Sequence, residues 1–193
     1  ITDTILIGGQ TKTPTLSVLY QNRKQFLGGA AIVARHISAS GAKVEFTTVV
    51  GKDLLGRETI KKLKKEKIKV NAIFDENRPT TEKNAIVTDN YRLLKIDTLN
   101  NSPISDNIIK KICTYLKKSK YKNLIFSDFR HGIFNINSID FFNNISEYYS
   151  FKSADSQVAS RWGNITDFKN FDLITPNEKE ARFSIGDQDS NVR

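Results

Sequence analysis

From Ala30 onward the chain alternates between stretches of helical apolar period and short apolar runs closed by turn residues. Residues 30–39 read as an alanine-rich helix ending near Gly41, and residues 44–50 as a buried strand closed by Gly51. Residues 54–67 carry Leu55, Ile60 and Leu63 on one side of a helix and lysines on the other. The rhythm continues with a strand at 69–74, a helix at 104–116, a strand at 123–127 and a helix at 136–149. Strands at 151–154 and 171–175 follow, and Pro176 opens a last helix over 177–185. Such an order predicts an α/β fold: a doubly wound, mostly parallel sheet with helices on both faces.

Two stretches break the rhythm. Pro14 precedes residues 15–20, which alternate as a half-buried strand. Residues 81–88 and 91–96 flank Asp89-Asn90, a hairpin signal. The two stretches are expected to pair as a small separate sheet. Near the start, Ile5-Leu6-Ile7 is an apolar run followed by a turn at Gly8-Gly9.

With 193 residues, 38% of them hydrophobic, the chain is expected to form one domain over 1–193. No run of ~18 apolar residues is present to span a membrane. No basic, signal-like start is visible either, and the lone Cys113 fits a reducing, cytoplasmic setting as a buried thiol. The chain contains no methionine and begins with isoleucine, so it is expected to be part of a longer protein. The net charge of +9 raises the question of nucleic acid. Most of the excess lysine sits at 61–69 and 110–122, on the solvent faces of helices and without interleaved aromatic residues, so no nucleic-acid partner is expected. A basic surface also suits anionic small substrates.

Five motifs fall at element boundaries. Gly28-Gly29-Ala30-Ala31 opens a helix, where bare backbone can approach a ligand or simply pack closely. Gly51-Lys52-Asp53 with Gly56 is a strand-to-helix turn with Asp53 as an N-cap. Arg78-Pro79-Thr80-Thr81-Glu82-Lys83 offers hydroxyls and cations to a phosphate or sugar, or is an ordinary solvent-facing hairpin. Ser127-Asp128-Phe129-Arg130-His131-Gly132 follows a buried strand, where open α/β sheets bind ligands; the other reading is a capped helix entry with an incidental histidine. Thr175-Pro176-Asn177-Glu178-Lys179-Glu180 opens a helix, with Glu180 either a water-mediated magnesium ligand or a plain capping residue.

In this order the motifs resemble the PfkB, ribokinase-like carbohydrate kinases, and most of all the heptose-7-phosphate kinase branch, often fused to a nucleotidyltransferase. The resemblance implies a β lid built from about 15–20 and 81–96 that closes over the sugar and forms a homodimer contact. It implies substrate binding by Asp3, Gly28, Gly29, Lys83 and Asp128. Asn177 and Glu180 would lie near the phosphates of ATP, with Glu180 toward a hydrated Mg²⁺. The implied reaction is in-line transfer of the γ-phosphoryl of ATP to a sugar hydroxyl.

Three departures accompany it. Ile32 stands where the family usually has a sugar-contacting asparagine. Phe129-Arg130-His131 replaces the commoner tyrosine-glycine-lysine. The glycine-alanine-glycine-aspartate motif that supplies the anion hole and catalytic base is absent up to Arg193, and so is the family's first strand. Loss of general-base help alone costs ~10²–10⁴ in rate, so these 193 residues by themselves are expected to be inactive. Two alternatives stand beside the heptose phosphate kinase: a non-catalytic kinase-like module used for dimerisation or regulation, and a kinase of another sugar or nucleoside.

Overall fold

The computed structural model describes residues 1–9, 15–157 and 165–187; Pro14, the expected lead-in to the second strand, lies outside them. Helices and strands alternate as the apolar periods require, and the sheets of the body are parallel.

Strands β3 (Glu45–Gly51) and β4 (Lys69–Asp75) pair in parallel, joined by helix α2 (Leu54–Lys65). Strands β7 (Asn123–Asp128), β8 (Phe151–Ser156) and β9 (Leu173–Ile174) form a second parallel sheet, with helix α4 (Ile139–Ser146) between β7 and β8. Helices α1 (Ala30–Ala39) and α3 (Asp106–Lys118) precede β3 and β7. Helix α5 (Glu178–Ile185) follows β9.

Two apolar clusters show how the body is layered. Val70 packs with Ala31, Ala34, Leu63 and Ile68, while Ile73 packs with Ile108, Ile109 and Ile112 of α3. Residues 70 and 73 differ in parity along β4, so they point to opposite faces of the strand. Helices α1 and α2 therefore cover one face and α3 the other, the doubly wound arrangement the alternation predicted. The larger cluster is centred on Phe126, whose ring lies 5.2 to 6.0 Å from those of Phe134, Phe142, Phe168 and Phe171.

Strands β3 and β7 share no hydrogen bonds among the described residues. Between them is a cavity of about 330 Å³ lined by Val33, Thr48, Ile112, Phe126 and Phe142 among others.

The remaining strands make the lid, which is larger than expected. Its order is β2-β1-β5-β6, with β1 Thr2–Gly9, β2 Leu16–Arg23, β5 Glu82–Thr88 and β6 Tyr91–Thr98. The run at Ile5–Ile7 does not stop at a Gly8-Gly9 turn; it belongs to an eight-residue strand, antiparallel to β2 and parallel to β5. Thr4 Oγ1 donates to the Val87 carbonyl at 2.9 Å, and the Leu6 amide donates to Thr88 Oγ1 at 3.2 Å, so side chains supplement the ladder here. The hairpin turn is as predicted: Asp89 and Asn90 have φ of 45° and 65°, the left-handed pair of a type I′ turn.

Some helix limits differ from expectation. The helix expected over 136–149 is only Ile139–Ser146. Asn135 takes the chain around a turn instead, its Nδ2 donating to the Gly132 carbonyl at 2.9 Å and its own amide bonding Ser138 Oγ. The helix expected over 104–116 is shifted to Asp106–Lys118, and the last strand shrinks to two residues.

Candidate active site

The candidate site gathers at the carboxyl-terminal ends of the body strands. At the end of β7, Asp128 is 2% exposed. Its Oδ1 accepts from the Arg130 amide at 2.7 Å, and its Oδ2 accepts from Ser156 Oγ at 2.9 Å and from the Arg130 guanidinium. Arg130 has φ 58° and Gly132 φ 85°, so the loop doubles back on itself. A Cβ at Gly132 would lie 2.1 Å from the Ser102 carbonyl oxygen. Asp128 thus shapes this loop from beneath rather than capping a helix entry, since the next helix begins only at Ile139, and Arg130 reaches the neighbouring cleft.

Helix α1 arrives at the same place. Gly29 has φ 55° and ψ −141°, and a Cβ there would lie 3.7 Å from the Phe129 ring. The first turn of α1 has neither an acidic residue nor a side-chain cap; the Ala31 and Ile32 amides donate instead to the carbonyls of Gly28 and Gly29, at 3.2 and 3.1 Å.

At the end of β8, Asp155 Oδ1 accepts from the Thr175 hydroxyl at 3.2 Å. Burial pushes the Asp155 carboxyl above its ordinary range; the Thr175 hydrogen bond opposes this, and the charges of Glu180 and Asp128 add to the rise. Glu180 and Asn177 form a reciprocal capping box: the Glu180 amide donates to Asn177 Oδ1 at 3.0 Å, and the Asn177 amide to Glu180 Oε2 at 2.9 Å. Glu180 is 7% exposed. Three carboxylates on three elements are therefore grouped: Asp128, Asp155 and Glu180. Asp155 was not singled out from the sequence. The available signal was an acid one residue beyond a predicted strand, and strand ends are where such folds place ligands.

Beside this group opens a cleft of about 1360 Å³, lined by Arg130, Asn135, Asn177, Lys179, Arg182 and Phe183 among others.

Among the described residues the lid contributes none to the lining of that cleft and carries a charged face of its own. Lys83 pairs with Asp97 and Ala85 with Lys95 across β5 and β6, so Lys83, Lys95 and Asp97 share a face. Their charges reach His131 on the β7 loop. Asp3 pairs with Val87, which is four residues beyond Lys83 and so of the same parity; Asp3 therefore belongs to that face as well. Its carboxylate lies 3.5 Å from Lys24 Nζ. Asp3 joins the group through the sheet, with no hydrogen bond to the body loops among the described residues.

The arginine-proline-threonine-threonine stretch is bonded closely into the protein. Arg78 Nε bonds Asp75 at 2.7 Å, and its Nη atoms donate to the carbonyls of Asn100, Ser102 and His131. Thr80 donates its amide and hydroxyl to Asp53, each at 2.7 Å, and accepts from the Gly51 amide at 3.0 Å. Asp53 also caps α2 through the Gly56 amide at 2.7 Å. A Cβ at Gly56 would meet the Gly51 carbonyl at 2.7 Å and Thr80 Oγ1 at 2.8 Å. Two motifs that looked separate in the sequence form one clamp at the root of the lid.

Comparison with known proteins agrees with this architecture. A model of the pfkB family carbohydrate kinases matches residues 5–193. The chain belongs to the pfkB family of carbohydrate kinases. Among curated pfkB relatives, the bifunctional protein HldE of Helicobacter hepaticus is 28% identical over 189 residues, covering 94% of this chain and 39% of that protein. HldE of Helicobacter pylori (strain HPAG1) is 32% identical over 127 residues, 64% of this chain and 27% of its own. The chain thus spans well under half of these relatives. Among solved structures, Escherichia coli phosphofructokinase-2 superposes with a TM-score of 0.69 at 13% identity, covering 98% of this chain and 62% of that one. Giardia lamblia ribokinase gives 0.59 at 14% identity, covering 96% and 57%. At such identities the structural likeness establishes the ribokinase-like pfkB fold.

Proposed function

We propose that this chain is the sugar-binding part of an ATP-dependent kinase that phosphorylates a hydroxyl of a phosphorylated sugar, a heptose phosphate being the first candidate. The observation that carries the reading is the grouping of Asp128, Asp155 and the Asn177–Glu180 turn at the carboxyl ends of the body strands. Gly29, the Asp128–Gly132 loop, Asp155 and the Asn177–Glu180 turn come from the body, and the face bearing Asp3, Lys83, Lys95 and Asp97 comes from the lid. The similarity to HldE proteins supports the heptose choice.

In this reading Asp3 accepts hydrogen bonds from sugar hydroxyls, and the glycine pair lets the backbone approach the ring. Lys83 bears on the sugar or its phosphate. Asp128 acts as a positioning residue for the loop it bonds. Asn177 and Glu180 lie toward the ATP phosphates. Among the described residues no cluster of three or more histidine, cysteine or acidic side chains is built to cage a metal. A single carboxylate beside a hydrated Mg²⁺ fits that composition, because magnesium keeps most of its waters and takes few protein ligands. Bound Mg²⁺ supplies charge neutralisation on the transferring phosphoryl group. The residues present position the sugar and the phosphates of ATP. We assign the protein to the cytoplasm, with a homodimer contact through the lid and a fused nucleotidyltransferase as further parts of this reading.

Ile32 favours a second reading as a non-catalytic kinase-like module. It sits 38% exposed in the first turn of α1, where an asparagine would offer a hydrogen bond to sugar and isoleucine offers none. One experiment separates the two. Titration calorimetry and ATP turnover are measured on the natural full-length protein with heptose 7-phosphate, fructose 6-phosphate, ribose and adenosine. Saturable turnover with a sugar phosphate is expected. Binding without turnover would transfer the case to the non-catalytic module, and neither binding nor turnover with any of the four would end the kinase proposal.

A further inference from the structure

Strand β4 is paired on one side, its neighbour among the described residues being β3. The Lys69 amide donates to the Val44 carbonyl at 3.0 Å, so Lys69, Asn71 and Ile73 turn their backbone groups toward β3. Val70, Ala72 and Phe74 turn theirs the other way, as a row of amides and carbonyls along a free edge. A groove of about 680 Å³ follows that edge. It touches Val70, Ala72 and Phe74, whose parity places them on the α2 face of the strand, and Asn71 with Tyr115 of α3 on the other face. Phe74 is 44% exposed and Tyr115 39%, so both offer apolar surface to an occupant.

The α2 flank of the groove is basic. Arg57, Lys61, Lys64 and Lys65 line it, all four are exposed, and no acidic side chain lines it among the described residues. Glu45, Glu66 and Glu76 are taken up elsewhere, by Lys69 at 2.9 Å, Arg35 at 2.6 Å and Lys52 at 2.6 Å. Arg57 also bears on Asp53, whereas Lys61, Lys64 and Lys65 have no ion-pair partner among the described residues.

We propose that the free edge of β4 docks an extended acidic segment of a partner protein, which joins the sheet as a further strand. Hydrogen bonds to the backbone of Val70, Ala72 and Phe74 supply affinity, and alternate side chains supply specificity. Side chains of an added strand point alternately to the two faces. One set meets the cations of α2 and the other meets Tyr115, so the segment that fits alternates acidic and apolar residues along the seven residues of β4. A second copy of this chain fits poorly, because two such edges bring lysine against lysine. A nucleic acid would answer the cations but leave the row of amides and carbonyls without a strand partner.

The probe is a synthetic peptide of alternating glutamate and valine, matched to β4 in length and added to the natural full-length protein. Saturable binding in fluorescence anisotropy is expected, with hydrogen exchange slowed in 69–75. Methylating one alternate set of peptide amides, the set that faces β4, is expected to weaken binding about tenfold, and methylating the other set to leave it unchanged. The double substitution Lys61→Glu, Lys64→Glu changes two exposed side chains, keeps the circular dichroism spectrum and weakens binding about tenfold. A lysine–valine peptide is expected not to bind. No binding of the glutamate–valine peptide, binding with exchange in 69–75 unchanged, equal binding of the two methylated forms, or displacement of the peptide by a more tightly bound single-stranded oligonucleotide would each overturn the proposal. None of those results bears on ATP turnover, which decides the kinase reading separately.

Discussion

Asp53 shows how much a single side chain carries at the root of the lid. Its two oxygens accept from the Gly56 amide, the Thr80 amide and the Thr80 hydroxyl. Burial alone would raise its pKa, yet these hydrogen bonds and Arg57 outweigh burial and leave it lowered. A carboxyl lowered in the folded state adds stability that is complete above its unfolded pKa, about 3.9, and is lost as pH falls through the folded value. Asp53→Asn is expected to cost about 1–3 kcal/mol in urea unfolding at neutral pH, with a shallower loss of stability on acidification than in the unmodified chain. At the other end of the body, Asn177→Ala removes one half of a capping box and is expected to cost about 1 kcal/mol. Glu180→Gln keeps an oxygen for the Asn177 amide but loses the charge. If Glu180 serves a hydrated cation, this variant of the full-length protein unfolds like the parent and needs more Mg²⁺ for ATP binding; an unchanged Mg²⁺ dependence would return Glu180 to capping alone.

At the scale of elements, the loop after β7 is held by backbone that tolerates little. Gly132 combines φ 85° with the close approach of the Ser102 carbonyl. The Ile104 amide donates to the Gly132 carbonyl at 3.0 Å, so this glycine also anchors the start of α3. Gly132→Ala is expected to destabilise the chain by more than about 2 kcal/mol and to raise hydrogen exchange first in 100–105 and 128–135. The motif itself was legible as a turn after a buried strand. Its direction was not, because the sequence does not say that Asp128 turns inward to Ser156 and Arg130 while the His131 ring meets Asn101. The same holds for β1. A three-residue apolar run next to two glycines reads as a short strand and a turn; pairing with β2 and β5 on both sides is what extends it to eight residues. Helix α4 came out shorter than its aromatic periodicity because Asn135 and Ser138 satisfy the backbone locally in place of a helical turn.

For the whole molecule, the lid leaves much apolar surface in contact with solvent. Leu6, Leu16, Tyr20, Leu94 and Ile96 are each between 46 and 62% exposed. Leu94 pairs with Ile86, and Ile96 with Asn84, on the face opposite Lys83. That pattern supports the proposed dimer, since contiguous exposed apolar area on a sheet marks an association surface. The double substitution Leu94→Glu, Ile96→Glu is expected to leave the circular dichroism spectrum unchanged and to convert a dimer to a monomer in sedimentation. A parent chain that is already monomeric at tens of micromolar would remove the lid from the assembly. Within the body, Phe142 is 1% exposed against the rings of Phe126 and Phe134, and Phe142→Ala is expected to cost about 3–5 kcal/mol in equilibrium unfolding.

What the sequence determined by itself was the set of elements and their class. Apolar period separates helix from strand residue by residue, and turn chemistry such as Asp89-Asn90 or Asn177 three residues ahead of Glu180 is complete within a few positions. Only the tertiary structure decided which motifs stand together and what each side chain is bonded to. Thr80 lies 27 residues from Asp53, Arg78 lies 53 from His131, and Asp155, Asp128 and Glu180 come from β8, β7 and α5. Such contacts are set by how parallel sheets and a lid pack around shared cores, a choice no local pattern encodes. For that reason Arg78 and Thr80 turned out to brace the root of the lid.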